Sequence, residues 1–109
     1  MQKQQSDILN ETMSMILGYE SPDLSLALAS MLAASESENS EEYLFCLEQL
    51  SDELANIFDN IDDEGRAEQT RLRLDGIIES LSREFGNSLF LEAVRQSVGL
   101  NRHRIIYSC

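Results

Sequence analysis

The apolar residues between positions 43 and 61 recur at helical spacing. At intervals of 4, 3, 4, 3 and 4 residues the sequence carries Tyr43, Leu47, Leu50, Leu54, Ile57 and Ile61. This spacing places the side chains on one face of an α-helix and does not fit the alternation of a β-strand. Leu44 and Phe58 widen the stripe. We therefore predict a helix over 40–59, with Asn39 or Ser40 as its N-cap and the stripe in a core.

Four other segments carry helix signals at their ends. Ser21 and Pro22 are typical of an N-cap followed by the first residue of a helix, since proline there gives up only an amide that has no partner in the helix. Gly18, Gly86 and Gly99 are candidate C-terminal stops. The predicted helices span 6–18, 22–36, 40–59, 63–85 and 88–98, followed by a tail at 100–109 that is extended or disordered.

Helices that each carry one apolar stripe and are joined by short loops pack as an antiparallel bundle. We therefore predict an all-α fold, a compact bundle of four to five helices in a single domain over 1–109. The core should contain Leu47, Leu50, Leu54, Ile57, Leu74, Ile78, Leu81 and Phe85.

The fifth helix has apolar residues all around its axis. These are Leu89, Phe90, Leu91, Val94 and Val98. A helix of this kind must be covered on most sides. Burial within the chain is one interpretation, and a dimer or partner surface is the other. Because a chain of 109 residues has a modest core, we favour a homodimer.

Charge divides the chain into two parts. Residues 4–65 contain fifteen Asp or Glu and no Lys or Arg, and the whole chain has a net charge of −12. Such a surface disfavours direct binding to nucleic acid or to an anionic membrane. The sequence has no signal-peptide pattern and no long apolar run. We expect a cytoplasmic protein in which Cys46 and Cys109 are free thiols, with Cys46 buried as a small hydrophobic residue.

The residue types argue against catalysis and against a metal centre. The acidic turn 59–65 resembles a calcium loop, but its register puts Arg71 where the loop needs a bidentate glutamate. His103 is the only histidine and stands in the tail, so neither Cys46 nor a serine has an evident general base. We therefore expect no enzyme activity, no cofactor and no metal, and a solvated helix-capping turn at 59–65.

The face of the third helix opposite its apolar stripe combines charge with an aromatic ring. Glu41, Glu48, Asp52 and Asp59 form a row about 27 Å long on this face, and Phe45 projects into it. Leu72 projects in the same way among charged residues of the fourth helix. The candidate partner-binding residues are Glu41, Phe45, Glu48, Asp52, Asp59 and Leu72. The alternatives are a solvated acidic face with one stray aromatic residue, and a Phe45 covered by another helix.

These features predict a small acidic protein that binds another protein through a basic surface on that partner. The most specific form of this prediction is an inhibitor that mimics a nucleic acid, with carboxylates in place of phosphates. The alternative is a helical homodimeric adaptor or secretion-type chaperone that holds an amphipathic segment through the fifth helix and the tail. Mimicry would weaken steeply with salt, and apolar capture would not.

Overall fold

The protein is all-α, which confirms the predicted fold class. The computed structural model describes residues 5–86 and 88–106, and the side chains of 5–86 and 88–99, and all regular elements within these ranges are helices. In chain order they are α1 (Gln5–Leu17), α2 (Pro22–Glu36), α3 (Ser40–Asp59), α4 (Glu64–Phe85) and α5 (Leu89–Ile106).

Short polar side chains cap the helices where the sequence suggested. The Ser21 hydroxyl accepts a hydrogen bond from the Leu24 amide at 3.2 Å, and Pro22 follows as the first residue of α2. Asn39, one of the two expected caps of α3, accepts from the Glu41 amide at 3.0 Å. These bonds satisfy amides that have no partner inside the helix and so fix where α2 and α3 begin.

Two glycines with positive φ terminate α1 and α4. Gly18 (φ 84°) follows α1 and Gly86 (φ 82°) follows α4. A side chain is strained in this conformation, so glycine is the residue that lets the chain leave the helix there.

The core lies around α5, which packs against α2, α3 and α4, while α1 packs against α2 and α4. The buried residues of α5 include Phe90, Leu91, Val94 and Val98, whereas Leu89 is exposed. The chain itself therefore covers most of the all-round apolar helix. This removes the argument from α5 for a second copy, and the homodimer stays a prediction.

Three sequence predictions differ from the structure. Phe85, expected in the core, is 47% exposed, because the buried stripe of α4 ends at Leu81 and Phe85 lies in the last turn before Gly86. Leu44, expected to widen the core stripe of α3, is 61% exposed, whereas Phe58 is buried.

The third difference is the end of α5, which runs to Ile106 and so includes residues 100–106 of the expected tail. Gly99 does not have the positive φ of a glycine that ends a helix. Inside a helix, glycine costs only about 1 kcal/mol relative to alanine, so neighbouring residues can carry the helix through it.

Candidate interaction surface

The outward face of α3 carries the predicted acidic row. Glu41, Glu48, Asp52 and Asp59 are all exposed. The opposite face holds the core residues, with Leu47, Leu50, Leu54 and Ile57 buried. Since α3 is continuous from Ser40 to Asp59, burial of the stripe fixes the acidic row towards solvent. We call Glu41, Phe45, Glu48, Asp52 and Asp59 the acidic face.

The ring of Phe45 lies exposed within the acidic face. Its side chain is 60% exposed, so no other helix covers it in the described part of the chain. Leu44, the preceding residue of α3, is also exposed, about 100° around the helix from Phe45. Isolated exposed apolar residues are ordinary, but an exposed aromatic ring among carboxylates is a feature of binding surfaces.

A groove beside the acidic face extends the surface onto α2. It is lined by Asp23, Leu26, Ala27, Gln49, Asp52 and Glu53. Leu26 is 68% exposed and belongs to no predicted stripe. This groove was not predicted from the sequence. The available signal was Leu26 itself, a large apolar residue out of register with the buried positions Leu24, Leu28 and Met31.

The carboxylates near Phe45 are not neutralised by ion pairs within the described ranges. The ion pairs there join residues of α4 to each other and residues of α5 to each other, such as Arg83 with Glu79 at 3.1 Å and Arg95 with Glu92 at 3.8 Å. None of them includes Glu41, Glu48 or Asp52. Glu41, Glu48 and Asp52 therefore keep their negative charge and can attract a basic surface.

Arg71, the buried arginine of α4, is neutralised within its own helix. Its Nε donates to Glu68 at 3.0 Å, and its Nη1 donates to Asp75 at 2.6 Å. The hydrogen bond to Glu68 and the charges of Glu68 and Asp75 raise the pKa of Arg71, although burial opposes this. Arg71 therefore pairs with carboxylates of α4 and does not compensate the negative charge of α3.

Leu72 does not belong to the acidic face. It is exposed on α4 and lines a cavity with Ile16, Arg66, Gln69 and Arg73. Leu72 was predicted as a partner-binding residue together with the α3 residues because each projects among charges on its own helix. The relative placement of helices decides which surfaces are shared, and periodicity carries no information about it.

The thiol of Cys46 is buried on the inner side of α3 and forms no disulfide. Burial raises the pKa of this thiol, and the nearby Glu42 carboxylate raises it further. A protonated thiol is a weak nucleophile, so this environment is that of a packed core residue. His103 falls within α5, but its side chain, like all of Cys109, lies outside the described parts of the chain.

The acidic turn before α4 caps a helix. The Asp63 carboxylate accepts hydrogen bonds from the amides of Gly65 at 2.8 Å and Arg66 at 3.2 Å. Among the residues that the structure describes, no three His, Cys, Asp or Glu side chains are grouped so that they could hold a metal ion.

Comparisons with protein-family models, with curated proteins and with solved structures find no match for this chain. Within the described ranges, none of the helices is both long enough and apolar enough to span a membrane.

Proposed function

We propose that this chain is a small protein-binding module whose acidic face occupies a basic site on a partner protein. The exposure of Phe45 among the carboxylates of this face carries the proposal. Aromatic rings supply much of the binding energy in protein interfaces, where they enter a pocket on the partner and lose their contact with water. The surrounding carboxylates would speed association and set orientation.

An inhibitory role, with the acidic face in place of a nucleic acid, is the finer form of the proposal. Duplex DNA presents one charge for about every 1.7 Å of axis, whereas the acidic row of α3 carries four carboxylates over about 27 Å. The row alone is therefore too sparse to replace a duplex. Asp23 and Glu53, which line the groove beside Asp52, add two carboxylates on one side of the row. They bring the charge density of the surface closer to that of a duplex.

The adaptor or chaperone alternative is weaker. It required apolar residues of the fifth helix to be free for a partner, but Phe90, Leu91, Val94 and Val98 are buried within the chain. The exposed apolar residues Leu44 and Phe45 instead lie next to carboxylates on α3, where charge and apolar contact would act together.

Affinity purification from the native host with matched variants tests the proposal. The wild-type chain should retain a basic partner that Phe45→Ala and the double variant Glu48→Lys with Asp52→Lys both release. Phe85→Ala is the control for the ring, since Phe85 is also an exposed phenylalanine. Asp7→Lys with Glu84→Lys is the control for charge, since both residues are exposed and lie on α1 and α4.

Retention of the partner by both control variants, together with its elution by salt, would support the acidic face as the binding surface. Equal retention by the α3 variants and the controls would contradict it.

A further inference from the structure

An apolar groove runs between α1 and α4, on elements that do not contribute to the acidic face. Its cavity is lined from α1 by Ile8, Thr12 and Ile16 and from α4 by Arg73, Gly76, Ile77, Ser80 and Leu81. A second cavity, lined by Arg66, Gln69 and Leu72, adjoins it. Both cavities share Ile16 and Arg73, so they follow one another along the same side of α4.

The groove is open because its floor is made of half-buried isoleucines and a glycine. Ile8, Ile16 and Ile77 pack against the core while remaining partly exposed. Gly76 has no side chain, and a Cβ at this position would meet nothing within 4 Å beyond its chain neighbours and the backbone of its own helix. The floor therefore offers an open apolar surface between α1 and α4, which suits the apolar stripe of another helix.

Two arginines at the groove form no ion pair within the described part of the chain. They are Arg66 and Arg73, and both are exposed, whereas Arg71, Arg83 and Arg95 pair with carboxylates of their own helices. Their spacing of seven residues on α4 places them on one side of the helix, about 10 Å apart along its axis. A ligand that fills the groove can therefore present carboxylates to both.

We propose that this groove binds an amphipathic helix of another protein, with an apolar stripe on the isoleucines and carboxylates two turns apart on Arg66 and Arg73. A bound helix of this kind buries the exposed sides of the isoleucines and pairs the two arginines. A second copy of this chain is a poorer occupant, because it brings a net charge of −12 against an equal charge.

Selection from a displayed library of helical peptides tests the groove directly. The peptides have about 16 residues, with apolar residues fixed at helical spacing and all other positions randomised. The enriched peptides should carry Asp or Glu at two positions seven residues apart. Their affinity for the purified chain is then measured by fluorescence anisotropy.

Gly76→Leu is the decisive variant, since it fills the groove in space that is open in the native chain. It should weaken peptide binding at least about tenfold, the loss expected when a central anchor is excluded. Its melting temperature should not fall, because leucine is a better helix former than glycine. Arg73→Glu should weaken binding similarly, and the control Arg83→Glu should leave it unchanged.

Phe45→Ala separates this proposal from the function of the acidic face, because it should bind the enriched peptides as the wild type does. The groove proposal is overturned if no peptide is enriched, or if the enriched peptides bind Gly76→Leu as well as they bind the wild type. It is also overturned if they lack the acidic pair. Self-association of the wild type that Gly76→Leu abolishes, seen by sedimentation, would assign the groove to a second copy and equally reject a foreign helix.

Discussion

Phe45 and Leu54 lie on opposite faces of α3, nine residues apart, with Phe45 60% exposed and Leu54 1% exposed. Nine residues at 100° per residue give two and a half turns, so the two side chains point in opposite directions. One helix thus holds the core on one side and presents the proposed binding surface on the other. Stability and binding should therefore respond to different residues of the same helix.

Leu54→Ala should lower the free energy of unfolding by about 2–5 kcal/mol, because it leaves a cavity in a packed core. Phe45→Ala should lower it by less than about 1 kcal/mol, because the ring is mainly in solvent. Urea unfolding of both variants followed by circular dichroism measures the difference. A loss of several kcal/mol for Phe45→Ala would identify Phe45 as a core residue and leave the acidic face as a solvated surface.

Arg71→Ala should lower the free energy of unfolding by about 1–2 kcal/mol. The buried stem of Arg71 loses its packing and its hydrogen bonds, while Glu68 and Asp75 stay partly hydrated, which limits the cost. Arg83→Ala is the matched control on the same helix, and it should cost less than about 0.5 kcal/mol because both partners of that ion pair are exposed. Equal effects in thermal unfolding would show that the Arg71 cluster does not stabilise the fold.

Cys46 should react slowly with a thiol reagent in the native protein at neutral pH. Burial and Glu42 raise its pKa, so the thiolate fraction is below that of an ordinary thiol. Because the pKa is higher in the folded than in the unfolded state, the associated stability is present below the unfolded pKa and is lost as the pH rises through the folded pKa. The rate is followed at several pH values in a Cys109→Ser background. A native rate at neutral pH equal to that of the unfolded chain would contradict the buried, protonated thiol.

Gly99→Ala and Gly86→Ala should change stability in opposite directions. Gly99 lies inside α5 with open space around its α-carbon, so alanine should stabilise by about 0.5–1 kcal/mol. Gly86 has φ 82°, where alanine is strained by about 1–2 kcal/mol. Thermal unfolding of the two variants checks both signs. Destabilisation by Gly99→Ala would indicate that the helix ends at Gly99, as its sequence first suggested.

The elements that sequence predicted well are those with strong periodicity and clear caps. The bounds of α2 and α3 agree with the predicted 22–36 and 40–59, since Ser21, Asn39 and the apolar stripes act locally. The end of α5 was missed because a glycine stop depends on the backbone φ, which the residue type does not determine.

For the surface residues, too, the sequence predicted what a single helix determines and missed what depends on the packing of several helices. Exposure of Glu41, Glu48 and Asp52 follows from their angle to the stripe on one helix, and the sequence predicted it. The exclusion of Leu72 from this face depends on how separate helices pack, and so does the groove of Ile16 and Arg73 between α1 and α4. No pattern within a single helix reports such relations.

The most direct test of the central claim is the dissociation rate of the captured partner from surface-bound wild-type chain, Phe45→Ala and Phe85→Ala. The account predicts faster dissociation only for Phe45→Ala, by about 30-fold, which corresponds to about 2 kcal/mol for an anchoring ring. The melting temperature should stay close to that of the wild type. Dissociation from Phe45→Ala at the wild-type rate would contradict the claim that the acidic face binds a partner through Phe45.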